Sequence, residues 1–178
     1  MKEKRIIAKP AKFTFIIAFG IFCLFLYSCR VSVSLTGGTI DPNAKTVYIA
    51  TFPNNATLVN PSLSQDFTNA LKNKIQNQTP LTIVNNEGDY SIEGEITGYN
   101  ISPVAIQGNE TAALNRLTIT VRVRFINRFD ENLNFEQSFS RYYDYDSNIN
   151  FTSSENTFVA SINDALTDDI FNKAFVNW

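Results

Sequence analysis

The chain has 178 residues, with 15 lysines and arginines against 17 aspartates and glutamates, no histidine, and two cysteines, Cys23 and Cys29, near its start. Without histidine, Ser-His-Asp and Cys-His nucleophilic catalysis have no base, and zinc sites built on His and Cys are excluded. The acidic balance argues against nucleic acid as a partner, because phosphate binding needs a concentrated basic surface.

The N-terminus has three parts. Met1 to Lys12 is basic, Phe13 to Tyr27 is an apolar run of fifteen residues, and Leu26-Tyr27-Ser28-Cys29 follows. A basic start, a short apolar core and a small residue before the cut describe a signal peptide. Fifteen residues fall short of the roughly 20 that span a bilayer as a helix. Cys29 stands where a lipoprotein signal peptidase requires a cysteine, with Leu26 three positions before it; Tyr27 is bulkier than usual there. Cys23 competes poorly because Phe22 precedes it. The expected product starts at a lipidated Cys29. Each buried methylene of its acyl chains contributes about 0.8 kcal/mol, so several chains anchor stably. Removal of residues 1–28 leaves 150 residues of net charge −6 and a single cysteine, which rules out an internal disulfide.

Residues 29–45 form the expected tether, with a Gly37-Gly38 break, Asp41-Pro42 turn chemistry and room for a short strand near Val31 to Leu35. Residues 46–178 form one domain. Thr46 to Phe52 reads as its first strand. Asn60 to Gln78 reads as a helix, with Asn60 before Pro61 as N-cap and Ser62 with Gln65 as a rival capping box. Leu63, Phe67, Ala70, Leu71 and Ile75 make its apolar stripe. Leu81 to Val84 is a short strand. Tyr90, Ile92, Ile96 and Ile101 outline a longer one, with Gly94 and Gly98 at bulge or close-approach points, and Pro103 to Ala113 is a loop.

In Leu117 to Ile126, apolar residues alternate with Thr118, Thr120, Arg122 and Arg124, which describes a half-buried strand with one wet face. Asp130 to Asn132 turns the chain, and Phe135 to Tyr145 returns as its partner. A last helix from Thr152 or Ser153, with Thr152 and Glu155 as a capping box, buries Val159, Ile162, Leu166 and Ile170. The expected fold is α+β: a two-layer sandwich with two helices on one face of a mixed, mostly antiparallel sheet of about four strands.

Arg122, Arg124 and Arg128 form a basic row on the open face, with Arg116 and Arg141 nearby. Guanidinium forks match phosphate and carboxylate geometry, so the row is a candidate anion or lipopolysaccharide contact. The competing reading, which we favour, is cross-strand pairing with Glu93, Glu95 or Glu136. Glu93 and Glu95 share that face and balance the arginines more naturally than they do acid-base chemistry. Asp168-Asp169 reads as a solvated pair. Tyr142, Tyr143, Phe175 and Trp178 are candidate partner contacts, since aromatics are enriched at interface cores; ordinary packing is the alternative, and the C-terminal end docks on the domain or on a partner.

The stretches FPNNATLVNPSLSQDFTNALK (52–72), GDYSIEGEITGYNISPVAIQGNETAALNRLTITVRVRF (88–125), FEQSFSRYYDYDS (135–147) and DIFNKAFVNW (169–178) resemble the LptE-like lipopolysaccharide-assembly lipoproteins of Bacteroidetes. The resemblance implies a small, non-enzymatic lipoprotein on the periplasmic side of the outer membrane. It would plug and help assemble an LptD-like β-barrel translocon and contact lipopolysaccharide, without metal or cofactor. It does not carry over individual ligand-binding residues. Arg30 follows Cys29 with no acidic run, unlike surface-exported lipoproteins of that group, which implies retention on the inner leaflet. The alternative is a lipid-anchored periplasmic binding module for an anionic or glycan ligand, with no barrel partner.

Overall fold

The computed structural model describes residues 40–58, 60–104 and 113–176. The expected signal segment 1–28, Cys29, the residues to Thr39, most of the Pro103 to Ala113 loop and Trp178 lie outside the described residues. All described residues belong to one compact unit, Thr36–Trp178.

That unit runs β1 (Thr46–Ile49), α1 (Leu63–Gln78), β2 (Thr82–Val84), β3 (Tyr90–Val104), β4 (Leu114–Asn127), a 3₁₀ turn, β5 (Phe135–Asp146) and α2 (Phe151–Phe171). The strands form one sheet of five, in the order β2-β1-β3-β4-β5. β1 pairs in parallel with β2 and β3, while β3, β4 and β5 form an antiparallel meander. The α+β reading stands, with five strands where about four were expected.

Period-two burial drives β4 onto the helices. Leu117, Ile119, Val121, Val123 and Phe125 are buried, while Arg122 and Arg124 between them are exposed. In β3 the register passes from Ile96↔Val121 to Gly98↔Thr120 and leaves Thr97 as the extra residue of a bulge. The inward set therefore changes parity, from Tyr90, Ile92 and Ile96 to Tyr99. The strand also runs through Pro103, which the sequence assigns to a loop. β1 pairs with β3 at Tyr90 to Ile92, with one further bridge from Asn54 to Ile96, so among the described residues one side of β3 is an edge beyond Ile96. Edges are where a strand tolerates proline.

Leu63, Phe67, Leu71 and Ile75 of α1 are buried as their spacing predicts. The helix begins at Leu63, yet Asn60 still satisfies its first turn: Asn60 Oδ1 accepts from the amides of Ser62 and Leu63 at 3.0 and 3.1 Å. The rival capping box does not form, because Gln65 donates to Asn69 instead. α2 starts earlier than Thr152, capped by Asn150, whose side chain accepts from the Ser153 amide. Glu155 is drawn away from that helix start. Its Oε1 accepts from Tyr99 Oη at 2.5 Å and from Asn60 Nδ2 at 2.7 Å, which ties the loop before α1, β3 and α2 together.

The Asp168-Asp169 pair is not left to solvent. Asp168 pairs with Lys74 of α1, and Asp169 takes a two-pronged bond from Arg141 of β5 at 2.5 and 2.6 Å. Each carboxylate thus clips a different neighbour to the end of α2. Hydrogen bonding to Asp169 raises the Arg141 pKa further.

Candidate functional site

Among the described residues the helices cover one face of the sheet, and the opposite face is built in cross-strand rows. One row is Glu93, Arg124, Glu136; the next is Glu95, Arg122, Ser138. Pro53, Glu93, Gly94, Glu95, Arg122, Arg124 and Glu136 line a shallow depression of about 350 Å³. Arg122 Nη1 lies 3.3 Å from Glu95 Oε1. Arg124 stands between two glutamates and makes no ion pair within 4.0 Å among the described residues. The depression thus holds three carboxylates and two guanidiniums, a mixed rather than a basic surface.

Farther along come Thr120 beside Ser140, then Thr118 beside Tyr142, then Arg116 beside Asp144. Arg116 forms a two-pronged bond to Asp144 at 2.7 and 2.8 Å, and its guanidinium lies 3.6 Å from the centroid of the exposed Tyr142 ring. The Arg116 hydrogen bonds hold the Asp144 carboxyl below its ordinary pKa.

The third arginine of the expected row is elsewhere. β4 ends at Asn127, whose Oδ1 accepts from the amides of Phe129 and Asp130 and turns the chain, so Arg128 leaves the sheet and meets Glu87 at 3.2 Å. The aromatic candidates also separate. Tyr142 is on the open face, whereas Tyr143 faces α2 and stacks on Phe158 with centroids 4.7 Å apart. Phe175 is 1% exposed, inside a cluster with Tyr90, Phe125 and Phe171. Of the two dockings the sequence allows, Phe175 docks on its own domain.

A junction that the sequence reading passes over lies where residues 40–45 enter the sheet. Asp89 Oδ2 accepts from the amides of Lys45 and Thr46 and from the Thr46 hydroxyl, all between 2.8 and 3.0 Å. The Asp41 amide donates to Tyr90 Oη at 2.9 Å. These bonds, that from the Lys45 amide foremost, lower the Asp89 pKa. A pKa lowered on folding stabilises fully above the unfolded value of about 3.9, and this is lost as pH falls through the lower folded value. Asp89→Asn is accordingly expected to melt below the parent at pH 7, with the gap narrowing at pH 3. A gap unchanged between the two would contradict this role.

Among the described residues, no group of three or more His, Cys, Asp or Glu could hold a metal ion. None of the described helices is long and apolar enough to cross a membrane.

No curated protein matches the sequence. The architecture is similar to a minor lipoprotein from Acinetobacter baumannii, with a TM-score of 0.50 and 14% identity over 73% of this chain and 91% of that one. Rare lipoprotein B from Shewanella oneidensis superposes with a TM-score of 0.46 and 10% identity over 70% of this chain and 91% of that one. At 14% identity the likeness to the Acinetobacter protein speaks for the fold alone. The LptE family model, described as lipopolysaccharide-assembly, matches residues 44–174, from just before β1 to past the end of α2. That match takes in every strand and both helices, and on it the chain belongs to the LptE family of lipopolysaccharide-assembly proteins.

Proposed function

We propose that this protein is a non-enzymatic lipoprotein, lipidated at Cys29 and held on the periplasmic side of the outer membrane, that plugs and helps assemble an LptD-like β-barrel translocon. The observation that carries the reading is the family match over residues 44–174. The lipoprotein signal ahead of it agrees with a membrane-held, partner-binding role. On this reading the tether would meet the domain at Asp41, Lys45 and Thr46, whose amides bond to Tyr90 and Asp89.

Detergent extraction of the full chain from its own membrane should recover a large outer-membrane β-barrel. Depletion should lower lipopolysaccharide at the cell surface. A lipid-anchored module acting without a barrel predicts neither result.

Within this reading, Arg122 and Arg124 are the candidate lipopolysaccharide contacts, with Arg124 the stronger because Glu93 and Glu136 flank it without an ion pair. Arg122→Ala combined with Arg124→Ala is expected to weaken lipopolysaccharide binding in vitro. The fold should survive, since exposed pairs of this kind contribute about 0–1 kcal/mol each. Unchanged binding would assign both arginines to cross-strand pairing.

A further inference from the structure

The middle of the open sheet face carries no charge. Read across β3, β4 and β5, its rows are Gly98, Thr120, Ser140 and then Asn100, Thr118, Tyr142. Charged rows bound them, with Arg122 beside Glu95 at one end and Arg116 beside Asp144 at the other. Tyr142 is 55% exposed although the Arg116 guanidinium covers one face of its ring at 3.6 Å. That guanidinium is bound to Asp144, the next residue of β5 on this face, so the covered side of the ring is the one towards Asp144. The bare side looks back over Thr120 and Ser140, whose hydroxyls lie 3.0 Å apart. Gly98 keeps this floor low, since a Cβ there would already press on the Thr120 side chain at 3.2 Å. Four residues of β4 separate Arg122 from the Tyr142 row, so the uncharged floor and its aromatic wall span about 13 Å along the strands.

A bare aromatic face standing over a floor of hydroxyls fits one ligand chemistry closely. A pyranose ring presents C–H groups of slight positive charge on its faces and hydroxyls around its rim. The C–H face meets the negative face of an aromatic ring, and the rim meets neutral groups that both donate and accept. The Thr120–Ser140 pair spends one hydroxyl hydrogen on itself and leaves the other, with free lone pairs, to a ligand. The stack on Arg116 holds the Tyr142 ring in place beforehand, which lowers the entropy cost of binding. A protein partner fits less well, because the aromatic anchor of such a contact sits in a desolvated apolar surround, and these two rows have no other large apolar side chain. We infer that an uncharged sugar ring of lipopolysaccharide stacks on Tyr142 and hydrogen-bonds to Thr120 and Ser140. The inference rests on the lipopolysaccharide contact in the proposed function, and it assigns recognition of the sugar to this saddle beside the arginines.

The test titrates the full lipidated chain in detergent with two probes: the deacylated oligosaccharide of lipopolysaccharide from its own cells, and the same oligosaccharide after dephosphorylation. Tyr142→Ala is expected to weaken both about three- to ten-fold, the range of one aromatic contact. Tyr142→Phe keeps the ring and should bind as the parent does. Ser140→Gln fills the floor with neutral bulk and should weaken both probes, whereas Arg122→Ala should weaken the phosphorylated probe alone. Saturation-transfer NMR should place the sugar ring protons against the protein, and Tyr142→Ala should remove that signal. Unchanged binding of both probes by Tyr142→Ala overturns the inference. So does a parent that binds only the phosphorylated probe, or only lipopolysaccharide with its acyl chains. Dextran bound as tightly as the oligosaccharide would overturn lipopolysaccharide as the source of the sugar. Recovery of the barrel by a parent that binds neither probe refutes this inference and leaves the translocon role standing; failure to recover the barrel refutes that role.

Discussion

Phe175→Ala is expected to lower the stability of the domain by about 3–5 kcal/mol, the range for removing a large aromatic from a packed core. The residue lies in a short π-helical turn after α2, only a few positions from the end of the chain, where a side chain ordinarily frays. Here its ring sits 5.5 Å from Tyr90 and 5.6 Å from Phe125, edge-on to both, and 5.5 Å from Phe171. Tyr90 is the first residue of β3, and its hydroxyl accepts from the Asp41 amide. Truncating Phe175 therefore opens a cavity beside the point where residues 41–46 meet β3. Urea unfolding followed by circular dichroism measures the effect. A loss below about 1 kcal/mol would show that the terminal turn is an appendage rather than part of the core.

Gly94→Val is expected to cost about 3 kcal/mol or more, with Gly94→Ala already in the overpacking range of about 1–3 kcal/mol. A Cβ at Gly94 would fall 2.1 Å from the carbonyl oxygen of Arg122 and 2.6 Å from Cε1 of Phe52. The first is backbone in the neighbouring strand, and the second belongs to a fully buried ring packed edge-on against Phe67 of α1, so neither can give way cheaply. Gly98 provides the internal comparison. Its added Cβ would meet the side chain of Thr120 at 3.2 and 3.3 Å and backbone no nearer than 3.8 Å, so Gly98→Ala should cost clearly less. Equal costs at the two glycines would contradict the close approach of Phe52 to β3.

The sequence shows this fold wherever a short-range pattern decides it. Alternation in β4 sorts Leu117 to Phe125 from Arg122 and Arg124, and helical spacing selects Leu63, Phe67, Leu71 and Ile75. It misleads where a side chain is claimed by something distant. Glu155 matches a local capping box, but Asn60 lies 95 residues away and Tyr99 lies 56, and both take it. Asp168 and Asp169 look like a solvated pair until α1 and β5 pack beside them. Pro103 reads as a loop residue because nothing local reveals that β3 has an edge there.

The candidate site was legible in the same uneven way. Parity placed Arg122, Arg124, Glu93 and Glu95 on one face. It could not foresee that Asn127 turns the chain and carries Arg128 off the sheet.

The most direct measurement is recovery of partners with the full, lipidated chain extracted from its native membrane in mild detergent. A translocon plug predicts a large outer-membrane β-barrel in near-equal amount, retained through salt washing because a plug is held by burial as well as by charge. Recovery of the chain with no barrel, under conditions in which the barrel itself stays folded, would contradict it.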